Sequence, residues 1–384
     1  MRLLHTSDWH LGRSLHREDL LPAQAAFLDH LVETARAEQV DAVLVAGDVH
    51  DRAIPSLGAV ELFDRALQRL ARLSVPTVLI SGNHDSARRL GIAARLIERS
   101  GVHLRTDVAR CDEPVLLEDA HGTVAVYGVP YLEPALTAAE LGAERVGHAA
   151  VLGAAMARIR ADLATRPGST RSVVLAHAFV VGGEASDSER DISVGGVPSV
   201  PASVFDGIDY TALGHLHGCQ TLGERLRYSG SPLAYSFSEA DHRKTMWLVD
   251  LGPGGEIDAR RIDCPAPRRL RRLRGTLAEL LADESLAGHR EDWLEVTLTD
   301  AARPERAMEQ LRARFPHTLQ LAFDPQGRLD DGPVGYAART RGLGDAEIAL
   351  GFVRHVRGSA PDPVEEALLR EATEAVGAAA GGED

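Results

Sequence analysis

Short apolar runs alternate with longer amphipathic segments along the first half of the chain. The runs are bounded by polar residues and glycines, a pattern typical of buried strands. Between the first three runs, apolar residues recur on one face and predict helices at 23–38 and 57–73. The runs that predict strands cover residues 3–5, 42–46, 77–80, 124–129, 173–175 and 210–213. Strand–helix–strand alternation indicates an α/β sheet near the amino terminus.

The second half of the chain adds strands and then changes in texture. Apolar stretches at 228–229 and 246–250 predict a second sheet. From Cys264, the stretch CPAPRRLRRLRG is rich in proline and arginine and predicts a connector. The elements predicted after it are helices at 277–281 and 305–315, strands at 293–299 and 318–323, a loop at 326–335, and helices at 345–356 and 363–376. The three parts expected from these changes are 1–264, a small α+β domain at 265–333, and a C-terminal helical segment with a frayed tail at 334–384.

Composition indicates a globular protein and restricts its partners. Hydrophobic residues make up 44% of the 384 residues and charged residues 26%, which is ordinary for a domain with a substantial core. The net charge of −14 argues against a generic basic coat for nucleic acid, although bound divalent cations can invert the field at one site. Three widely spaced cysteines predict neither a disulfide framework nor a thiolate metal site. We see no apolar run of membrane-spanning length and expect a cytoplasmic protein without a membrane anchor.

Polar side chains follow nearly every early strand at the point where it ends. Ligands bind at the carboxyl ends of strands in open α/β sheets, so these side chains are expected to converge. They are Asp8, His10, Asp48, Asn83, His84, His177, His215 and His217. Oxygen and imidazole donors without a thiolate suit Mn²⁺, Fe²⁺ or Zn²⁺ better than Ca²⁺. The donors exceed the needs of one ion, and two ions that share a carboxylate can together orient a nucleophile and a phosphoryl oxygen.

The order of these elements carries more information than any one of them. A lone histidine at a strand end, such as His177, is more often structural than a ligand. Five elements in the order D-x-H, GD-x-x-D, GNHD, H and GH-x-H are instead typical of a metal site.

The same order resembles the calcineurin-like metallophosphoesterase superfamily. The resemblance implies an α/β fold, a two-sheet β-sandwich flanked by helices, followed here by a small α+β capping domain and C-terminal helices. It also implies that Asp48 bridges two metal ions and that His84, beside the scissile phosphate, is catalytic without being a ligand. The remaining implied ligands are Asp8, His10 and His217 for one ion, and Asn83, His177 and His215 for the other. We expect Asp85 to orient either the turn or His84.

Three longer stretches, SDWHLGRSL, GDVHDRAIPS and RYSGSPLAYSFSEADHRK, resemble the bacterial SbcD family, the nuclease subunits of SbcCD complexes. This resemblance implies a two-metal, Mn²⁺-dependent DNA phosphodiesterase within an ATP-dependent double-strand exonuclease and single-strand endonuclease. Such a complex cleaves DNA hairpins and ends during replication, recombination and repair. The implied partners are DNA, a coiled-coil ATPase of the SbcC type, and a second copy of the chain in a homodimer. The alternative is a small-molecule phosphodiesterase or phosphoprotein phosphatase of the same superfamily.

One position departs from the archaeal and eukaryotic relatives of that family. They carry a second catalytic histidine three residues after the bridging aspartate. Here Asp51 occupies that position, and a histidine stands one residue earlier, at His50. We leave open whether His50 faces the cleft or caps a turn.

Arginines close to the motifs are candidates for contacts with DNA phosphates. They are Arg13, Arg88, Arg89, Arg269 and Arg272. For the arginines at 268–274 the alternative is a solvated linker or strand edge. For Arg88 and Arg89 it is the exposed face of the next helix.

Apolar residues recur every four positions in the two terminal helices. The two stripes are Ile348, Phe352 and Val356, and Val364, Leu368 and Ala372. Such stripes favour helix-in-groove docking on a partner, and the alternative is packing on the core of this chain.

Overall fold

A computed structural model describes residues 1–189, 199–325, 342–357 and 360–380 of the chain. The chain forms two compact units, Met1–Leu270 and Arg271–Asp384. The three-part division stays a prediction, and its boundary between residues 333 and 334 lies outside the described residues. Among the described helices, none combines the length and apolar character that a membrane span requires.

Buried apolar runs form the strands of the first unit. Valine, isoleucine and leucine pack well on both faces of a covered sheet, and the run AVLVA at Ala42–Ala46 is buried at every position. The strands in chain order are β1 (Arg2–Thr6), β2 (Ser14–Leu15), β3 (Glu18–Asp19), β4 (Ala42–Ala46), β5 (Thr77–Ile80), β6 (Val102–Arg105), β7 (Val115–Asp119), β8 (Gly122–Val129), β9 (Arg171–His177), β10 (Phe179–Val180), β11 (Ser199–Val200), β12 (Tyr210–Gly214), β13 (Gln220–Thr221), β14 (Leu226–Tyr228), β15 (Thr245–Leu251) and β16 (Ile257–Asp263).

These strands form two six-stranded sheets and two short pairs in the described residues. The first sheet has the order β16-β15-β1-β4-β5-β6, and the second has the order β13-β14-β12-β9-β8-β7. The centre of each sheet is parallel, through β1, β4, β5 and β6 in one and β8, β9, β12 and β14 in the other. Parallel strands place their carboxyl ends at one edge, so this topology decides where their terminal residues gather.

Three layers of apolar side chains hold this unit together. Leu44 and Val78 of the first sheet pack against Val126 and Leu175 of the second, which makes a two-sheet sandwich. Two further clusters place helices against the remaining face of each sheet. The helices of this unit are α1 (Leu21–Ala37), α2 (Leu57–Arg72), α3 (Ala87–Leu90), α4 (Ala94–Ile97), α5 (Pro134–Leu141) and α6 (His148–Leu163). The predicted fold class, a sandwich of two sheets flanked by helices, is confirmed.

The second unit has a small core of its own. Its strands are β17 (Leu270–Gly275), β18 (Trp293–Leu298) and β19 (Thr318–Phe323), and its helices are α7 (Leu277–Ala282), α8 (Ala307–Arg314), α9 (Asp345–Arg357) and α10 (Pro363–Ala380). Leu294 and Val296 of β18 pack against Leu277 and Leu311. Thr276 begins α7 with a capping box, in which it exchanges hydrogen bonds with Glu279.

The predicted connector at 264–275 is wrong over its second half, because Leu270–Gly275 is strand β17. Its arginines have acidic partners nearby. Arg271 lies 3.4 Å from a carboxylate oxygen of Asp292, and Arg272 lies 3.0 Å from one of Glu295. The segment pairs with β18, and these partly exposed ion pairs offset some of its positive charge.

Candidate metal centre

The carboxyl ends of five strands deliver the predicted site residues. Those of the first sheet follow β1, β4 and β5, and those of the second lie on or follow β9 and β12. His177 ends β9 and pairs in register with Gly214, the last residue of β12. A Cβ atom on Gly214 would lie 1.9 Å from the carbonyl oxygen of Ala46 at the end of β4, so only glycine fits where the two sheets approach.

Left-handed backbone aims four of the side chains into the space between the sheets. The φ angles are 53° at Asp8, 44° at His10, 47° at Asp48 and 106° at His215. Such angles are unfavourable for residues with a Cβ and cluster at functional sites. The loops after β1 and β4 also hold each other, since the amides of Asp8 and His10 donate to the carbonyls of Gly47 and Asp48, both at 3.0 Å.

Donor atoms converge into two groups around Asp48. In the first group, the Nε2 atoms of His10 and His217 lie 3.0 Å apart, and Asp8 completes a set whose ligand atoms lie within 4.8 Å of one another. In the second group, the Oδ1 atom of Asn83 lies 2.9 Å from Nε2 of His177 and 3.3 Å from Nδ1 of His215.

Asp48 lies between these groups. Its Oδ2 atom is 3.6 Å from Nε2 of His10 and 3.5 Å from Nε2 of His177. Its Oδ1 atom accepts the backbone N–H of His84 at 2.8 Å. The two carboxylate oxygens of Asp48 therefore have separate roles. Oδ2 faces the imidazole nitrogens of both donor groups, and Oδ1 fixes the turn after β5 that contains His84.

The residues fit a pair of divalent cations. Asp8 and Asp48 are both almost fully buried, and among the described residues neither has a lysine or arginine partner. Buried carboxylates without positive charge are costly, and bound cations would compensate them. His177 donates from Nδ1 to the carbonyl of Ala46 at 2.9 Å, and its Nε2 faces Asp48 and Asn83. Burial lowers the pKa of His177, but Asp48 outweighs it and raises that pKa to about 9, so a cation bound here would take the place of the proton on Nε2.

The protonation states of Asp8, Asp48, His10 and His215 suit cation binding directly. Burial raises the pKa of Asp8 to about 6. Burial acts in the same direction on Asp48, but His177 outweighs it and holds the pKa of that carboxyl well below its usual range. Burial lowers the pKa of His215 to about 3 and that of His10 well below its usual value. His10 and His215 are therefore neutral near pH 7 and keep a lone pair for a cation.

His84 lies beside these donors and is fixed from its far side. Its Nδ1 atom lies 2.8 Å from the carbonyl oxygen of Asp51, so Nδ1 carries a proton. Its ring packs edge-on against His10 at 4.6 Å between centroids. All eight predicted residues thus lie together, and their individual roles stay predictions.

Asp85 orients the turn, one of the two expected roles. Its carboxylate accepts the backbone N–H groups of Val49, His50 and Gly82 at 2.9 to 3.0 Å, which ties the loop after β4 to the loop after β5. The His50 ring packs on Phe63 at 5.2 Å between centroids, and its Nδ1 lies 3.5 Å from Asp85. Of the two possibilities left open for His50, these contacts favour the one in which it supports the turn.

The candidate arginines occupy different surroundings. Arg13 lies near the centre, because its guanidinium stacks on Tyr235 and lies 3.6 Å from Asp51. Arg88 and Arg89 are exposed on α3, Arg269 is exposed before β17, and Arg272 pairs with Glu295. Contact with DNA stays a prediction for all five.

Several supporting residues were not predicted. Gln24 holds the loop after β1 through the N–H of Gly12 at 2.9 Å and the carbonyl of His10 at 2.8 Å. Glu239 and Lys244 lie beside His217. The sequence does offer a signal for Lys244, because it is the only lysine of the chain.

Comparison with known proteins places this centre in a family. The family model described as calcineurin-like phosphoesterase matches residues 1–219. A second model, described as the type 5 capsule protein repressor C-terminal domain, matches residues 266–348. The SbcD subunit of the nuclease SbcCD from Staphylococcus saprophyticus subsp. saprophyticus is 31% identical over 326 residues, which cover 84% of each chain.

Solved structures are similar at lower identity. The protein TT1561 of Thermus thermophilus is 14% identical with a TM-score of 0.39, over 68% of this chain and 98% of that one. An archaeal phosphodiesterase is 13% identical with a TM-score of 0.32, over 68% of this chain and all of that one. The family model and the 31% identical relative decide the assignment: the chain belongs to the calcineurin-like phosphoesterase family and, within it, to the SbcD family.

Proposed function

We propose that the chain is a two-metal DNA phosphodiesterase, the nuclease subunit of an SbcCD-type complex. The observation that carries the proposal is the position of Asp48, whose Oδ2 lies 3.5 to 3.6 Å from imidazole nitrogens of both donor groups. The name of the relative, which makes it part of the nuclease SbcCD, supports the choice of nucleic acid as substrate. The proposed activities are ATP-dependent double-strand exonuclease and single-strand endonuclease cleavage of DNA hairpins and ends.

Each residue of the centre has a proposed task. Asp48 would contribute to the binding of both of two Mn²⁺ ions; Asp8, His10 and His217 would hold one of them, and Asn83, His177 and His215 the other. When bound, two such cations supply charge stabilisation of phosphoryl oxygens and activation of the attacking water. Asp85 and Gln24 hold the loops that carry the ligands, so the donors are arranged before the substrate arrives.

His84 is the proposed proton donor. Its Nδ1 is fixed by the carbonyl of Asp51, and the Asp51 carboxylate lies 3.9 Å from the same atom. Protonated His84 would donate from Nε2 to a phosphoryl oxygen or to the departing 3′ oxygen.

Metal uptake and turnover test these tasks separately. The wild-type chain equilibrated with Mn²⁺ should hold two ions, and Asp48→Asn should lose at least one. His84→Ala should keep both ions and lose about 10²- to 10⁴-fold in hydrolysis of a phosphodiester. Two ions with unchanged turnover in His84→Ala would remove His84 from the mechanism. Wild-type protein that takes up no Mn²⁺ would refute the proposal.

The ATPase is proposed to come from another chain. Lys244 is the only lysine and follows Arg243, so no Gly-Lys-Ser/Thr phosphate loop exists in the sequence. Helices α9 and α10 support docking on such a partner, because no side chain of α9 is buried, and Phe352, Val364 and Leu368 are exposed. Co-purification with a coiled-coil ATPase, followed by Mn²⁺-dependent digestion of a blunt hairpin duplex with and without ATP, tests this part.

Exposed apolar side chains support the proposed homodimer. Leu57 and Val60 on α2 follow β4, and Leu96 on α4 follows the neighbouring strand β5. Exposed apolar surface of this kind is typical of protein interfaces. We expect a dimer by light scattering and a monomer for the double variant Leu57→Glu, Leu96→Glu. The control Leu136→Glu changes an equally exposed leucine on α5 and should stay dimeric; a monomeric wild type would contradict this part.

A further inference from the structure

The only lysine of the chain is buried next to a residue of the metal centre. The sequence contains 42 lysines and arginines, and Lys244 is the single lysine among them. Its side chain is 8% exposed. Its ammonium donates to the carbonyl of His217 and to Oγ of Ser231, both at 2.9 Å, and forms a close ion pair with Glu239. Every other basic position of lysine or arginine type in the chain is an arginine, and the one lysine stands where its ammonium meets three acceptors.

Geometry explains why arginine does not serve here. An ammonium directs three N–H groups from one atom, whereas a guanidinium spreads its donors over a rigid plane. The three acceptors of Lys244 surround a single nitrogen and belong to three separate segments, at His217, Ser231 and Glu239. An arginine at 244 would keep the charge and lose this arrangement.

Glu239 links the ammonium of Lys244 to the imidazole of His217. Oε2 of Glu239 pairs with Lys244, and Oε1 lies 3.2 Å from Nδ1 of His217. Ser188 completes the contact, because its hydroxyl donates to Oε1 of Glu239 and lies 2.6 Å from the same Nδ1. Both oxygens of the buried carboxylate are thus used by donors on opposite sides.

These contacts determine the tautomer of His217. A carboxylate only accepts, so Nδ1 of His217 carries the proton, and the lone pair stays on Nε2. Nε2 is the atom that lies 3.0 Å from Nε2 of His10 in the first donor group. The carbonyl of His217 is held by Lys244, and its amide donates to Glu189 at 2.7 Å, so ring and backbone are both fixed.

We propose that Glu239 and Lys244 are positioning residues that keep His217 in the tautomer and orientation required to bind a divalent cation. The inference rests on the proposed two-metal centre and concerns one of its two sites. A carboxylate that orients a ligating histidine in this way contributes about 10- to 100-fold to metal affinity in proteins.

Four variants distinguish an effect on the orientation of His217 from a loss of charge at position 244 and from a general loss of stability. Glu239→Gln keeps the shape, but one amide oxygen cannot serve both Lys244 and His217. Lys244→Arg keeps the charge, and Lys244→Met removes it. The matched control is Arg243→Met, which changes the adjacent residue in an exposed ion pair with Asp263.

The measurement is Mn²⁺ binding by calorimetry, with electron paramagnetic resonance of the loaded protein. Wild type and Arg243→Met should bind two ions and give the spectrum of a spin-coupled pair. Glu239→Gln and Lys244→Arg should bind one ion with unchanged affinity and the other about 10- to 100-fold more weakly, with the spectrum of an isolated ion at low Mn²⁺.

The double variant Glu239→Gln, Lys244→Met tests whether the lysine only neutralises the carboxylate. If Lys244 only neutralises Glu239, this uncharged pair should restore the Mn²⁺ affinity of both sites. If the two residues position His217, one site should still bind Mn²⁺ weakly. If a buried-pair variant does not fold, Ser188→Ala carries the test, since it removes a partner of Nδ1 and should weaken the same site. Two full-affinity sites in Glu239→Gln or Lys244→Arg would overturn the inference alone; a wild type without two Mn²⁺ ions would overturn the proposed function as well.

Discussion

Gly82→Ala should displace the Asp48 carboxylate without changing any of the proposed ligands. A Cβ atom at position 82 would lie 2.1 Å from Oδ1 and 2.4 Å from the backbone nitrogen of Asp48. Gly82 does not have a positive φ angle, so alanine is compatible with its backbone, and the contact with Asp48 is the dominant conflict. The substitution therefore tests how closely the loops after β4 and β5 must approach.

The size of the effect follows from the overlap. A carbon and an oxygen in ordinary contact are about 3.4 Å apart, so Asp48 or the loop after β5 must move by roughly 1 Å. A displacement of about 1 Å at a catalytic centre lowers the rate by about 10²-fold. Overpacking in a buried site also costs about 1–3 kcal/mol in the free energy of unfolding.

Three measurements on purified protein check this prediction. Mn²⁺ content should fall below two ions per chain, hydrolysis of bis(p-nitrophenyl) phosphate should fall about 10²-fold, and the unfolding temperature should decrease. The control is Gly153→Ala within α6, where a Cβ meets no atom within 4 Å; it should raise the free energy of unfolding by up to about 1 kcal/mol and leave turnover unchanged. Gly82→Ala protein with wild-type metal content and turnover would refute the reasoning.

Three further predictions concern stability. Burial lowers the pKa of His5 to about 3, so as the pH falls below about 6.5 the His5 imidazole becomes protonated in the unfolded state but not in the folded state. Between pH 7 and pH 5 this difference should lower the free energy of unfolding by about 2 kcal/mol. In denaturant titrations, the free energy of unfolding of His5→Gln should fall by about 2 kcal/mol less than that of the wild type over the same pH range. Chelation of Mn²⁺ should lower the free energy of unfolding by about 2.7 kcal/mol per site that was loaded at 100 times its dissociation constant, and an unchanged unfolding temperature would contradict bound metal. Ser56 caps α2 by accepting the N–H of Ala59, so Ser56→Ala should cost about 1 kcal/mol by calorimetry without altering turnover.

Buried parallel strands were the part of the fold most accessible from sequence. Strand β4 matches its prediction because all five residues are apolar and covered on both faces. Strand β16, IDARRID, was not predicted, since it lies at a sheet edge where Arg260 and Arg261 remain exposed. The local pattern of strand β17 predicts a connector, because its pairing depends on β18 and its arginines pair with carboxylates of other segments, which no local pattern contains.

The residues of the candidate centre also fall into a group that the sequence predicts and a group that it does not. Its residues could be predicted because each follows an apolar run, and runs and polar ends are both visible in the sequence. Asp85 follows such a run as well and was expected to orient the turn. Other supporting residues could not be predicted, because Glu239 lies 22 positions from His217 and Gln24 lies 14 positions from His10. Contacts of this kind depend on how loops from separate strands meet.

The backbone of the metal-site loops depends on the supporting residues. Asp8, His10 and Asp48 have left-handed backbone, which costs roughly 1–2 kcal/mol per residue for side chains with a Cβ. The structure offsets this cost through bonds between the same loops, since Asp8 and His10 donate to Gly47 and Asp48, and Leu11 donates to Val49 at 2.9 Å. The conformation of the ligand loops therefore depends on strand β1 lying beside strand β4 and on the carboxylate of Asp85. It follows that the donors are arranged by the protein before any cation binds, and that loss of these inter-loop bonds would disperse them even with every ligand residue intact.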